Sequence, residues 1–248
     1  MSDFNRGYAG QVQAGQADMS VDVGLRSFML GVYNKMALGL VLSAGLAWLT
    51  SQYPPVRDMM FSVEGNRIAY TPIGMIVAFA PLAVILFSAF VMRNATPRSS
   101  GIVYWLIVSL MGAGMGVLGL VYTGASIAST FLITATAFGA LSLVGYTTKK
   151  DLTAFGSFLI MGLWGVILAS LVNMFLHSSA IAFIVSLVGV AIFAGLTAYD
   201  TQKLKMQYYQ LGGDQAALGV ATNYGALNLY LDFVNLFILL LRLTGSRR

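Results

Sequence analysis

Apolar and polar positions along this chain fall into long blocks. After a polar N-terminal segment come seven apolar runs, at 28–50, 72–92, 102–122, 126–147, 153–176, 180–201 and 226–243. A hydrocarbon core about 30 Å thick is crossed by about 20 mainly apolar residues in helical form, so each run predicts a spanning helix. The joints 123–125 and 177–179 leave room only for tight helical hairpins. The connections 51–71 and 202–225 are longer, and Gly212-Gly213-Asp214 predicts a turn in the second. The pattern therefore predicts an all-α membrane protein, with a polar tail over 1–27 and one seven-helix domain over 28–248. The tail contains Asp3, Arg6, Asp18, Asp22 and Arg26 and no apolar core, so no cleavable leader is expected and the first run serves as its own insertion signal.

Composition agrees. Only 9% of the 248 residues are charged and 58% are hydrophobic, against about 25% charged in soluble domains. The chain has no cysteine, which excludes disulfides, thiol catalysis and thiolate metal sites. Its net charge of +5 lies mostly in loops, where it reports orientation and contact with anionic lipid, not nucleic acid. With the N-terminus cytoplasmic, the inner side holds Arg6, Arg26, Arg93, Arg98, Lys149, Lys150, Lys203 and Lys205. The outer side holds Arg57, Arg67, Arg242, Arg247 and Arg248. The inner side wins, although the basic tail argues for an even number of spans.

Two of the nine acids, Asp200 and Asp232, fall inside the apolar runs. A charge at the centre of a spanning helix costs at least about 2.5–3.5 kcal/mol on insertion scales, so such residues are functional by default. With the N-terminus inside, both fall at similar depth near the inner face, where they can share a proton. Arg93 ends the second run on the same side. In the last run Asn228, Asp232, Asn235 and Arg242 form a stripe roughly 80° wide at 100° per residue. Such a face is costly against lipid, which predicts an inward-facing, central last helix.

Other residues read as structural. Gly112 and Gly116 have the small-xxx-small spacing that lets helices approach. His177, the only histidine, falls at a hairpin turn. Asn173 suits a bond across helices, and Lys35 is expected to snorkel to the inner face.

The segment Leu227-Asn228-Leu229-Tyr230-Leu231-Asp232-Phe233-Val234-Asn235-Leu236-Phe237, followed by Leu240-Leu241-Arg242, resembles the last-helix signature of the Bax inhibitor family. Tyr199-Asp200 with Gln202 and Lys203 resembles the end of that family's sixth helix, and Lys149-Lys150-Asp151-Leu152 resembles its loop between spans four and five. The resemblance runs from about residue 25 to the end, with the compact loops of a bacterial member in an inner membrane. It implies six helices around a central seventh and a pH-sensitive calcium leak. In that picture Asp200 and Asp232 close the inner mouth and a basic residue, matched by Arg93, latches to the first of them. Arg93 is followed by Asn94, not by further basic residues.

Three functions are weighed. The first is a cation leak, with Ca²⁺ the expected ion, gated by the aspartate pair. Asp200 and Asp232, supported by Asn228 and Asn235, would give only transient coordination, because conduction requires weak binding. The second is a non-conducting regulator of stress survival or membrane-protein quality control that contacts other membrane proteins. The third is an intramembrane aspartyl protease of the presenilin type. Leu229-Tyr230-Leu231-Asp232 lacks the Gly-x-Gly-Asp of those enzymes, so enzymatic activity is not expected. No cofactor is expected, and the partners implied are membrane lipid and other membrane proteins, not nucleic acid.

Overall fold

The structure, a computed structural model, describes residues 22–65, 67–91 and 94–248. The expectations for the tail over 1–21 and for Arg93 lie outside the described residues. The elements in chain order are α1 (Val23–Gln52), α2 (Pro54–Met60), β1 (Phe61–Glu64), β2 (Arg67–Tyr70), α3 (Pro72–Val91), α4 (Pro97–Gly114), α5 (Gly116–Val121), α6 (Gly124–Thr147), α7 (Thr153–Leu176), α8 (Ser179–Gln210) and α9 (Gln215–Thr244). Among the described residues six helices are long and apolar enough to cross a membrane: α1, α4 continued by α5, α6, α7, α8 and α9. The apolar stretch Pro72–Ser88 of α3 is shorter. The chain is an all-α, multi-pass integral membrane protein apart from one small hairpin.

Helix starts are written in short polar side chains. Asp22 Oδ1 accepts from Leu25 N at 2.9 Å. Thr96 and Ser99 form a capping box ahead of α4, and Asp214 Oδ1 accepts from Ala216 N and Ala217 N at 2.9 and 3.2 Å. The connection expected over 202–225 is instead a four-residue turn, 211–214, because α8 runs on to Gln210 and α9 begins at Gln215. Gly212 and Gly213 supply the left-handed backbone there, with φ of +57° and +88°. The longer connection expected over 51–71 holds the last residues of α1, then α2 and the β1–β2 antiparallel hairpin.

The predicted third span breaks at Met115. A break frees backbone carbonyls, which hydrocarbon cannot satisfy. Here Thr50 Oγ1 donates to Ala113 O at 3.0 Å and Tyr70 OH to Gly114 O at 3.3 Å, so α1 and the hairpin satisfy the break. The glycine pair packs as its spacing suggests. A Cβ on Gly112 would lie 2.6 Å from Ser43 Cα, and one on Gly116 would strike Thr50.

Burial singles out α9. Of its membrane-length window 61% is buried, against 6% for α7. It packs against α1, α4, α6 and α8, while α3 lies on α4 and α7 on α8. The largest cluster of buried side chains joins Leu25, Val32, Ile107, Val108, Leu229 and Phe233. Between the helices, buried hydroxyls bond back to carbonyls of their own helix, as Thr134 does to Thr130 O and Thr197 to Phe193 O. Outward faces are apolar, with Phe79, Phe87, Phe158, Met161, Trp164 and Phe175 each more than 60% exposed.

Candidate functional site

Asp200 and Asp232 meet where α8 crosses α9. Close contacts fix the antiparallel register of the two helices. Gly225 leaves room for Leu204, and a Cβ on Gly189 would lie 2.7 Å from Leu239 Cδ1. Helical side chains lean toward their own N-terminus, so on antiparallel helices these two lean toward each other. Their carboxyl groups are within hydrogen-bonding reach. A hydrogen bond between two carboxyls exists only while at least one carries a proton, since two carboxylates only accept.

The two surroundings differ. Asp232 is 5% exposed, and its Oδ2 is sealed from solvent with no donor reaching it among the described residues. Asp200 is half-buried, with Lys203 three residues further along the same helix. Lys203 Nζ also sits 5.9 Å from the centre of the Tyr199 ring. The buried hydroxyl of Thr201 follows Asp200. It donates to Thr197 O at 2.8 Å and lies 3.3 Å from Tyr33 OH of α1. No third His, Cys, Asp or Glu joins the pair among the described residues. Two carboxylates alone fall far short of the six to eight oxygens of a retentive calcium site.

The polar stripe of the last helix is not assembled as expected. Asn228 is exposed, Asn235 is half-buried with its Nδ2 on Leu231 O of its own helix at 2.8 Å, and Arg242 is exposed. Relative to Asp232 these residues are rotated by about 40°, 60° and 80° to one side at 100° per residue. Only the edge of the stripe at Asp232 faces the packed helices. Asn228 therefore does not line the site. His177 stands at its hairpin turn in the left-handed region, with φ of +51°. Asn173 Oδ1 accepts from Ser178 N at 2.9 Å, so it caps that hairpin instead of bonding across helices.

Sequence reasoning missed two polar anchors. Gln202, buried two residues past Asp200, accepts from Leu152 N at 2.8 Å and donates to Lys150 O at 2.7 Å. It clamps the α6–α7 loop to the helix that carries Asp200. Asp151 in that loop is held below the usual carboxylate range by hydrogen bonds from the Thr153 side chain and from Thr153 N, the latter at 2.8 Å. Stability of that kind is present above the unfolded pKa and is lost on acidification. Replacing Gln202 by alanine removes two hydrogen bonds worth about 1 kcal/mol each, so loop opening should become about thirtyfold more frequent. Limited trypsin digestion should then cut at Lys149 and Lys150 correspondingly faster, and unchanged cleavage would refute the clamp. The second anchor, Asn223, is buried. It accepts from Lys35 Nζ and donates to Pro97 O at 2.8 Å and Ser100 Oγ at 2.7 Å. Lys35 thus reaches an interior partner instead of simply snorkelling.

The model of the family described as inhibitor of apoptosis-promoting Bax1 matches residues 25–248. An uncharacterized protein of Caulobacter vibrioides is 60% identical over the whole of both chains. The inner membrane protein YbhL of Escherichia coli K12 is 45% identical, covering 91% of this chain and 94% of its own. An uncharacterized protein of Rickettsia prowazekii is 44% identical over 92% of each.

Proposed function

The chain belongs to the Bax inhibitor family, and on that premise we propose that it is a pH-sensitive cation leak, with Ca²⁺ the permeant ion, gated by Asp200 and Asp232. The observation that supports this reading is the carboxyl pair on α8 and α9, one member sealed and the other half-open. A shared proton joins the carboxyls and holds α8 against α9. When rising pH removes it, two adjacent carboxylates repel in a poorly solvated site, and the closure at this end loosens. The same charge attracts a cation, and a site with few ligands lets it leave. The hydroxyl of Tyr33 and the ammonium of Lys203 are the polar groups beside this switch.

The proposal carries a topology of seven spans, with α3 as the seventh, the N-terminus cytoplasmic and the pair at the inner mouth. Location in a bacterial inner membrane is supported by the Escherichia coli relative, an inner membrane protein. The test is calcium entry into proteoliposomes between about pH 6 and pH 8, a window that tuned carboxyl groups can reach. Flux should rise as pH rises. Absence of flux at every pH would favour the non-conducting regulator.

A further inference from the structure

The described residues hold two cations at the start of α4 that have no carboxylate partner. Lys35 and Arg98 form no ion pair, and the salt bridge recorded among the described residues is Arg57 with Asp58 at the opposite end. Lys35 is held in place with care. Its Nζ donates to the buried Asn223, and it stands 5.3 Å from the centre of the Tyr104 ring and 5.8 Å from that of Trp105. Tyr104 OH donates to Lys35 O at 2.7 Å. A buried asparagine and two aromatic rings therefore fix a cation in the first turns of the bundle and leave two of its three N–H bonds for another acceptor.

What lies beyond the cation is an open groove. It runs along the lipid-facing side of α4 between Pro97 and Ser109, lined by Arg98, Gly101, Ile102, Trp105 and Leu106. Its floor opposite Lys35 is Gly101, where a Cβ would sit 3.9 Å from Lys35 Nζ and 3.6 Å from Asn223 Nδ2. The missing side chain is a window from the groove to the ammonium. At the mouth stands Arg98, exposed, and beyond it the wall is apolar, with Ile102 60% and Leu106 45% exposed.

We propose that this groove binds one anionic phospholipid, its phosphate held by Lys35 through the Gly101 window and by Arg98, and its acyl chain laid along Ile102, Trp105 and Leu106. The charge order matches such a lipid: cations at the helix start, at interface depth, then only apolar surface toward the membrane interior. A zwitterionic lipid brings its own cation and gains less from the same site. A free anion would gain nothing from the apolar wall.

Trp105 forms part of the wall and reports on it directly. The experiment uses the full chain with Trp48→Phe and Trp164→Phe, two lipid-exposed positions, so that Trp105 is the sole tryptophan. Quenching is measured in phosphatidylcholine bilayers carrying brominated phosphatidylglycerol or brominated phosphatidylcholine. The anionic lipid should quench at a mole fraction lower by about fivefold for each cation engaged. Gly101→Leu closes the window while making only ordinary contacts at its Cβ, and it should reduce the preference about fivefold, to what Arg98 alone supplies. Arg98→Gln should reduce it about fivefold. Lys35→Gln should also reduce it about fivefold. Should that variant fail to fold because it perturbs Asn223, the other two still decide. Equal quenching by both lipids overturns the proposal, as does a preference that stays undiminished in Gly101→Leu and Arg98→Gln. Relief of quenching by inorganic phosphate at constant ionic strength assigns the site to a soluble anion and overturns it as well.

Discussion

In the Asp200→Asn, Asp232→Asn double variant, calcium flux should be independent of pH between about 6 and 8, a range in which carboxamides do not titrate. The substitution keeps the size and planarity of both side chains. It also keeps a hydrogen bond between them, because an amide N–H₂ donates to an amide oxygen without a proton from solvent. Only the titration is removed. In the wild type, acidification keeps the pair neutral or singly charged and the closure at α8 and α9 intact. Alkalinisation creates two negative charges, and at 4 Å such charges repel by about 4 kcal/mol at an effective dielectric of 20. That is enough to move a closed-to-open equilibrium by a factor of several hundred. The double variant has no such term, whatever its absolute flux. The single variants should not be equivalent. Asp232→Asn leaves a half-buried carboxylate beside Lys203, which retains a counter-charge. Asp200→Asn leaves the sealed Asp232 with no cation among the described residues. Wild-type pH sensitivity in the double variant would dismiss the pair as the switch.

That pair was legible from sequence because acids inside apolar runs of spanning length are conspicuous. The helices were legible because apolar run length maps onto membrane thickness. What escaped lies where this constraint relaxes. The end of α8 carries Lys203, Lys205, Gln207 and Gln210, and the start of α9 carries Gln215 and Asn223, so these turns read as a loop. Reading them so hid Asn223 and, through it, the fixed position of Lys35. Gln202 was noted only as a flanking residue, since nothing in a sequence says that its amide matches a backbone donor and acceptor 50 and 52 positions away. The hairpin left a fair signal, Gly65-Asn66 between two short segments of mixed polarity, which is a recognised turn pattern. The misplacement of Asn228 has a different cause. Helical periodicity fixes the angle between two side chains of one helix, but not which part of that helix its neighbours cover. Here the packing around α9 buries Asp232 and leaves Asn228 open.

The position of Asp200 depends in turn on how closely α8 is approached from its other side, and this yields the largest expected effect on stability. Gly145 of α6 is buried, and a Cβ there would fall on the backbone carbonyl of Ala198, two residues before Asp200. The carbonyl belongs to a continuous helix and cannot swing aside as the end of a side chain can. Gly145→Leu must therefore push α6 and α8 apart along the contact that also carries the bond from Lys205 Nζ to Tyr146 O at 3.3 Å. Overpacking typically costs 1–3 kcal/mol, and a clash with backbone lies at or above the top of that range, about 3 kcal/mol. Gly139→Leu on the same helix is the matched control. Gly139 is exposed and nothing lies within 4 Å of its Cβ position, so the loss of a flexible residue should leave stability unchanged or raise it by up to about 1 kcal/mol. Thermal unfolding in detergent, followed by size-exclusion chromatography, separates the two. Gly145→Leu should lose most of its monodisperse peak at temperatures where the wild type and Gly139→Leu retain theirs. Equal stability of the two variants would mean that α6 and α8 do not approach as closely as this packing requires, and the register that brings Asp200 to Asp232 would fall with it.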